Sequence, residues 1–155
     1  MAYLDVIPLA DAKIYLRVDD TLTEDDGSIT RMINGALAYV EKWTNFLVYD
    51  RTKTYLMIDG LVRVYDGPIN TLVSPLTVDT VQKNNYSVYC LGTDTIDLKL
   101  NVGCANTSDI PQGLIDVAYE IIDLMYYEHE TGKTIEKDLT TLSKNILNDY
   151  KRFIL

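Results

Sequence analysis

Apolar positions recur on a 3.6-residue period near both ends of this chain and on a 2-residue period between them. Ile29, Met32, Ile33, Ala36, Leu37, Val40 and Trp43 stand at offsets 0, 3, 4, 7, 8, 11 and 14, one stripe along a long amphipathic helix. Thr23 stands three residues ahead of Asp26, and Glu24, Asp25 and Asp26 would form an acidic first turn, so the pattern predicts a helix start near residue 24. Leu37 and Val40, in mid-stripe, should lie in the core. Ahead of this helix, Leu9, Ala12 and Leu16 mark a shorter one that Pro8 can open and the polar run Asp19 to Thr23 must close.

From Phe46 the period changes. Lys53, Tyr55 and Met57 alternate with Thr54, Leu56 and Ile58, and after Asp59-Gly60 a second run resumes from Leu61 to Tyr65. Asp-Gly between two such runs predicts a hairpin. Asp66-Gly67-Pro68 and Ser74-Pro75 break the chain, a short alternating run follows from Leu76 to Val81, and Asn84-Asn85 makes a turn. Tyr86 to Leu91 and Thr95 to Leu100 then read as a second hairpin around Gly92-Thr93-Asp94, with Ile96, Leu98 and Leu100 on one face and Asp97 and Lys99 on the other.

Helical spacing returns after Asp109, a candidate cap ahead of Ile110-Pro111. Leu114, Val117, Ala118, Ile121, Ile122, Leu124 and Met125 cover more than a third of a helix, which should therefore be buried on two sides, by the first helical pair and by the sheet, and end by Gly132. A final helix from about Ile135 to Lys151 carries Leu139, Leu142, Ile146, Leu147 and Tyr150. The fold class is α+β: a bundle of about four helices, with a small antiparallel sheet of four to six strands inserted between the second and third. The expected organisation is a single domain over residues 1–155, with a helical core at 7–49 and 109–152 and a β insertion at 50–105.

Composition narrows the function. Fourteen Lys and Arg against 23 Asp and Glu give a net charge of −9, the wrong sign for tight binding to phosphates. No apolar run approaches the length of a membrane span and no secretion leader is visible, so no membrane contact and a cytoplasmic site of synthesis are expected. Cys90 and Cys104 lack close cysteine partners and are expected to be ordinary buried thiols. Twelve Tyr against two Phe and one Trp suit either protein interfaces or half-buried sheet faces.

Little in the chain points to chemistry. Gly132-Lys133-Thr134 would need a glycine where Tyr127 stands to resemble a phosphate loop, and His129 is the sole histidine, too few for a histidine metal site. The acidic run Asp19, Asp20, Glu24, Asp25 and Asp26 lacks the register of a calcium loop, and helix capping accounts for it better. Asp116, Glu120 and Asp123 repeat at helical spacing, the pattern of a solvated face. No catalytic residue, cofactor or metal site is expected, and the chain reads as a non-enzyme.

The first two helices also carry a family likeness. A Leu-x-x-Ala-Lys-x-x-Leu-Arg-Val-Asp segment, an acidic turn, and a helix ending Ala-x-x-Tyr-Val-Glu-x-x-Thr resemble the head-tail connector (adaptor) proteins of tailed bacteriophages. The residues concerned are Leu9, Ala12, Lys13, Leu16, Arg17, Val18, Asp19, Ala36, Tyr39, Val40, Glu41 and Thr44, and Pro8 stands where a Ser or Thr cap would be expected. The resemblance implies a ring, commonly a dodecamer, at the head-tail junction of a virion assembled in the host cytoplasm. Such a ring binds the portal protein on one side and the next tail or adaptor protein on the other, and meets DNA only as a passing, non-specific contact. It also suggests that Tyr150, Phe153, Ile154 and Leu155 form the portal or subunit interface, since three large apolar residues close the chain and need cover. The alternative is a non-viral α+β protein-binding module without catalytic activity.

Overall fold

A computed structural model describes residues 2–58, 61–74, 80–84, 87–90, 95–128 and 139–151. The chain forms two compact units, one helical (residues 1–44 and 110–151) and one built on strands from 45 to 109. Among the described residues the architecture is α+β, with five α-helices and with every strand falling between the third and fourth.

The helical unit comprises α1 (Tyr3–Val6), α2 (Leu9–Leu16), α3 (Asp26–Thr44), α4 (Gln112–Glu128) and α5 (Thr141–Asp149). The predicted stripe on α3 is the core: Ile29, Ile33, Ala36, Leu37 and Val40 are fully buried. They face Leu114, Val117, Ala118, Ile121 and Ile122 of α4, also fully buried, so the broad apolar face of α4 is covered by α2 and α3 on one side and α5 on the other. The short α1 has too few residues to show a period. It docks through the Tyr3 hydroxyl, which donates to the Glu41 carboxylate on α3 at 2.6 Å.

The link between α2 and α3 is organised by Lys13, which is only 4% exposed. Its ammonium donates to the carbonyls of Asp20 (3.1 Å) and Leu22 (2.6 Å) and to the Asp26 carboxylate (2.8 Å). A lysine head has three donors, and here each has an acceptor. α2 ends on Arg17 in the left-handed region (φ 58°), with the Arg17 N–H bonding back to Ile14 and the Val18 N–H to Lys13, a Schellman closure carrying arginine at the position usually given to glycine. Of the acidic run only Asp26 stands in the first turn of α3; Glu24 and Asp25 lie ahead of it. Ser28 and Ile29 donate to the Asp25 carbonyl, and the Asp19 carboxylate closes its own turn by accepting from the backbone and hydroxyl of Thr21. Those bonds from Thr21 hold the Asp19 carboxyl below its usual pKa.

Three further expectations are corrected. Asp109 does not cap α4. It closes a 3₁₀ turn (Thr107–Asp109) by accepting from Asn106, and the Pro111 carbonyl takes the first bond of α4. The final helix does not run through from Ile135: Thr140 is extended and caps α5, its hydroxyl accepting from the Ser143 N–H. Residues 129–138, with His129 and Gly132-Lys133-Thr134, lie outside the described residues. The new start also changes which face is buried. Ser143 and Leu147 are covered, Leu139 is buried ahead of the cap, and Leu142 is left 69% exposed.

In the β unit, β1 (Arg51–Met57), β2 (Leu61–Arg63), β3 (Ile69–Ser74), β4 (Thr80–Asn84), β5 (Ser87–Cys90) and β6 (Ile96–Val102) form two three-stranded antiparallel sheets, ordered β1-β6-β3 and β2-β5-β4. The alternation on β6 is as read, with Leu98 and Leu100 buried and Asp97 and Lys99 exposed. The pairing is not. β1 pairs β6 along its whole length, with Tyr55 opposite Leu98, while β2 pairs β5, so neither expected hairpin forms, and among the described residues the strands adjacent in sequence that pair are β4 and β5. Leu47, Met57, Val62, Val64, Ile69, Leu98, Leu100 and Val102 make the core of this unit. Gly103 (φ 112°) fixes its edge: a Cβ there would collide with the Tyr49 carbonyl, while its own N–H bonds the Pro68 carbonyl at 2.7 Å. Cys104, beside it, is a buried thiol.

Replacing Lys13 by Ala removes the ammonium and leaves two carbonyls and the Asp26 carboxylate without their donor. Because Asp26 keeps contact with water, the expected loss is about 3 kcal/mol, the lower end for breaking a buried pair. Urea unfolding measures it, and a loss under about 1 kcal/mol, the range of a surface pair, would contradict this role.

Candidate assembly surfaces

Two regions of the helical unit combine aromatic area with concentrated charge of one sign. The first lies on α2 and α4. Tyr15 stacks on Tyr119 at 4.8 Å between ring centres, tilted by 34°, and Ile14 beside it is 73% exposed. The period of α4 turns its apolar residues inward and leaves Asp116 exposed and Asp123 half-buried next to these rings, with Asp11 on α2. Partial burial, and then the charges of Asp123, Glu120 and Asp116, raise the pKa of Tyr15; burial and Asp11 raise that of Tyr119. Further along α4, Tyr126 and Tyr127 meet edge to face at 5.3 Å, and their hydroxyls donate to Asp25 and to the Leu16 carbonyl.

The second region is a groove of about 260 Å³ between the C-terminal half of α3 and α5, lined by Tyr39, Trp43, Leu139, Lys144, Leu147 and Asn148. It continues past Lys42 to Lys151. Tyr39 and Trp43 are stacked at 6.0 Å, and the Lys151 ammonium lies 5.2 Å from the Trp43 ring centre, within cation–π range. The Trp43 indole nitrogen is buried and has no hydrogen-bond partner among the described residues.

α5 packs on both α4 and α3. The Glu120 carboxylate reaches from α4 to its N-terminus, accepting from the Thr140 N–H at 2.6 Å and from the Thr140 and Ser143 hydroxyls. The expectation that Glu120 belongs to a solvated face is therefore corrected; Asp116 is the member of that set that faces water, bonded only to Gln112 of its own helix at 2.9 Å. Leu147, one turn after Ser143 on the same buried face, lines the groove together with Lys144 and Asn148.

Of the residues expected at an interface, Tyr150 is 38% exposed at the C-cap of α5, next to Lys151 of the groove; Phe153, Ile154 and Leu155 lie outside the described residues. The tyrosine count was the signal for both regions, but only the packing of α2 on α4 and α5 on α3 brings Tyr15 to Tyr119 and Lys144 to Trp43. Tyrosine serves the strands as well: in the β unit the Tyr55 hydroxyl donates to Asp66, which also takes Lys53 at 3.0 Å. Among the described residues no group of three His, Cys, Asp or Glu side chains is placed to hold a metal ion, and no helix is long and apolar enough to cross a membrane.

Nearly the whole chain superposes on solved structures of one kind. A chain of the neck of a native gene transfer agent particle, computed with C12 symmetry, matches with a TM-score of 0.77 at 11% identity, over 100% of this chain and 94% of that one. A neck chain of the empty particle, computed with C6 symmetry, gives 0.74 at 11% identity over 100% and 94%. The fold is that of these neck chains. A chain of the virion of the native particle gives 0.75 at 13% identity over 97% and 91%. This likeness is consistent with the head-tail connector resemblance carried by Leu9 to Thr44. No family model and no curated protein matches the sequence.

Because the pKa values of Tyr15 and Tyr119 are raised on folding, their contribution to stability is complete below the ordinary tyrosine value of 10.0 and declines as pH rises through the folded values. Tyr15→Phe should make the loss of stability above pH 10 shallower than in the unaltered chain. Urea midpoints measured across that range check this; an unchanged slope would mean that Tyr15 titrates as an open phenol.

Proposed function

We propose that this chain is a structural virion protein that forms a ring at a head-tail junction, joining the capsid portal to the tail and letting genomic DNA pass. The observation that carries the reading is the match of nearly the full chain to neck chains of a phage-like particle, the C12 case above all. The order of elements, two helices, a β excursion and a return to helices, agrees with the order that the connector resemblance implies.

In this reading the ring is a dodecamer in the virion, its neighbours are the portal protein and the next tail or adaptor protein, and it has no catalytic role and no cofactor. It is assembled in the host cytoplasm. The net charge of −9 suits the task, since a lumen that attracted phosphates would hold back the DNA it must release. The C-terminal residues Phe153, Ile154 and Leu155, with Tyr150, are proposed to reach the portal or a neighbouring copy. Twelvefold repetition would turn a small contact into a strong one.

Electron microscopy of the purified chain mixed with its portal tests this directly. The unaltered chain should add a ring to one end of the portal, and deletion of Phe153 to Leu155 should preserve a cooperative melt while abolishing attachment. A full-length chain that leaves the portal bare would overturn the function; a truncated chain that still decorates it would overturn only the role of the tail.

A further inference from the structure

We infer that the two charged, aromatic regions of the helical unit are the two halves of one copy-to-copy contact: the α2–α4 face, with Tyr15, Tyr119, Asp116 and Asp123, docks into the α3–α5 groove of the next copy, with Trp43, Lys42 and Lys151. The inference rests on the ring reading and names the surfaces that close the ring.

A chain with a net charge of −9 repels its own copies unless positive charge is gathered where they meet. It is gathered in the groove, where Lys42, Lys144 and Lys151 surround Tyr39 and Trp43. The α2–α4 face is the opposite in sign, with Asp116 and Asp123 on α4 and Asp11 on α2 close enough to Tyr15 and Tyr119 to raise their pKa values. Like-charge contact of either face with itself is unfavourable, whereas each complements the other.

A two-fold dimer needs one self-complementary patch, and neither region provides it. Two unlike patches on separate sides of a subunit give a head-to-tail contact, which closes into a ring when the rotation permits. The two patches are built on different helix pairs here, Tyr15 and Tyr119 on α2 and α4, Trp43 and Lys144 on α3 and α5. An interface centre rich in Tyr and Trp with a charged rim is what stable protein contacts use. Tyr15, 49% exposed, and Ile14 supply the protruding apolar area, and the groove beside Trp43 supplies the recess.

The test is a charge exchange read by sedimentation velocity on the full chain. One variant carries Lys42→Glu and Lys151→Glu, a second carries Asp116→Lys and Asp123→Lys, and a third carries all four. Lys42, Lys151 and Asp116 are exposed, and thermal melts confirm that each variant folds. Each two-site variant should associate at least about tenfold more weakly than the unaltered chain, and the four-site variant should recover association to within about threefold. Should a reversal unfold the chain, the neutral pairs Lys→Gln and Asp→Asn at the same positions should each weaken association without the recovery. A four-site variant as dissociated as its parents, or a two-site variant that assembles normally, would overturn the pairing of these faces while leaving the ring intact. An unaltered chain that stays monomeric at every concentration would overturn the ring reading itself.

Discussion

The buried ammonium of Lys13 is the constraint on which the helical unit depends. Taking a charge out of water is expensive unless every donor finds an acceptor, and the three acceptors here come from the Asp20 and Leu22 carbonyls and the Asp26 carboxylate. Those groups can converge only if the link folds back over α2, so the lysine dictates the path from Val18 to Asp26. That path fixes α2 against both α3 and α4. It thereby places Tyr15 on Tyr119 and sets the arginine-closed end of α2. Seen this way, the acidic composition of the link is two devices: Asp26 pairs with the lysine, and Asp19 holds a turn around Thr21.

How far the sequence disclosed this differs by element. The stripe on α3 was fully legible, because seven apolar positions on one period over three turns and more leave no competing reading. The inward face of β6 was legible for the same reason at period 2. Strand partners were not. Asp59-Gly60 is a sound local turn signal, yet β1 is longer than the run after the turn and pairs β6 over seven residues, burying Met57 against Leu98 and Leu100. Local signals cannot report which distant strand offers the longer apolar register. On α5, Leu142 belonged to a plausible stripe, but the capping by Thr140 and the reach of Glu120 rotate Ser143 inward in its place. Lys13 was visible as a motif position and not as a buried cation, since nothing in a period distinguishes a solvated lysine from one that is enclosed.

The proposed assembly follows from the same packing. A subunit with an acidic tyrosine face on α2 and α4 and a basic aromatic groove between α3 and α5 carries two unlike patches, and so has polarity. Polarity of that kind favours closed rings over two-fold dimers. In the proposed ring, lysines gathered in one groove reconcile self-association with an acidic chain, and the acidic remainder suits the proposed passage of DNA. The aromatic contacts then supply affinity, and the charges supply direction.

The measurement that tests this account most directly is native mass spectrometry of the full chain across a concentration series. Head-to-tail closure predicts monomer giving way to one species of fixed copy number, with almost nothing between, because only the closed ring satisfies both faces of every subunit. A two-fold dimer as the end point, or a ladder of oligomers that lengthens without limit, would contradict it.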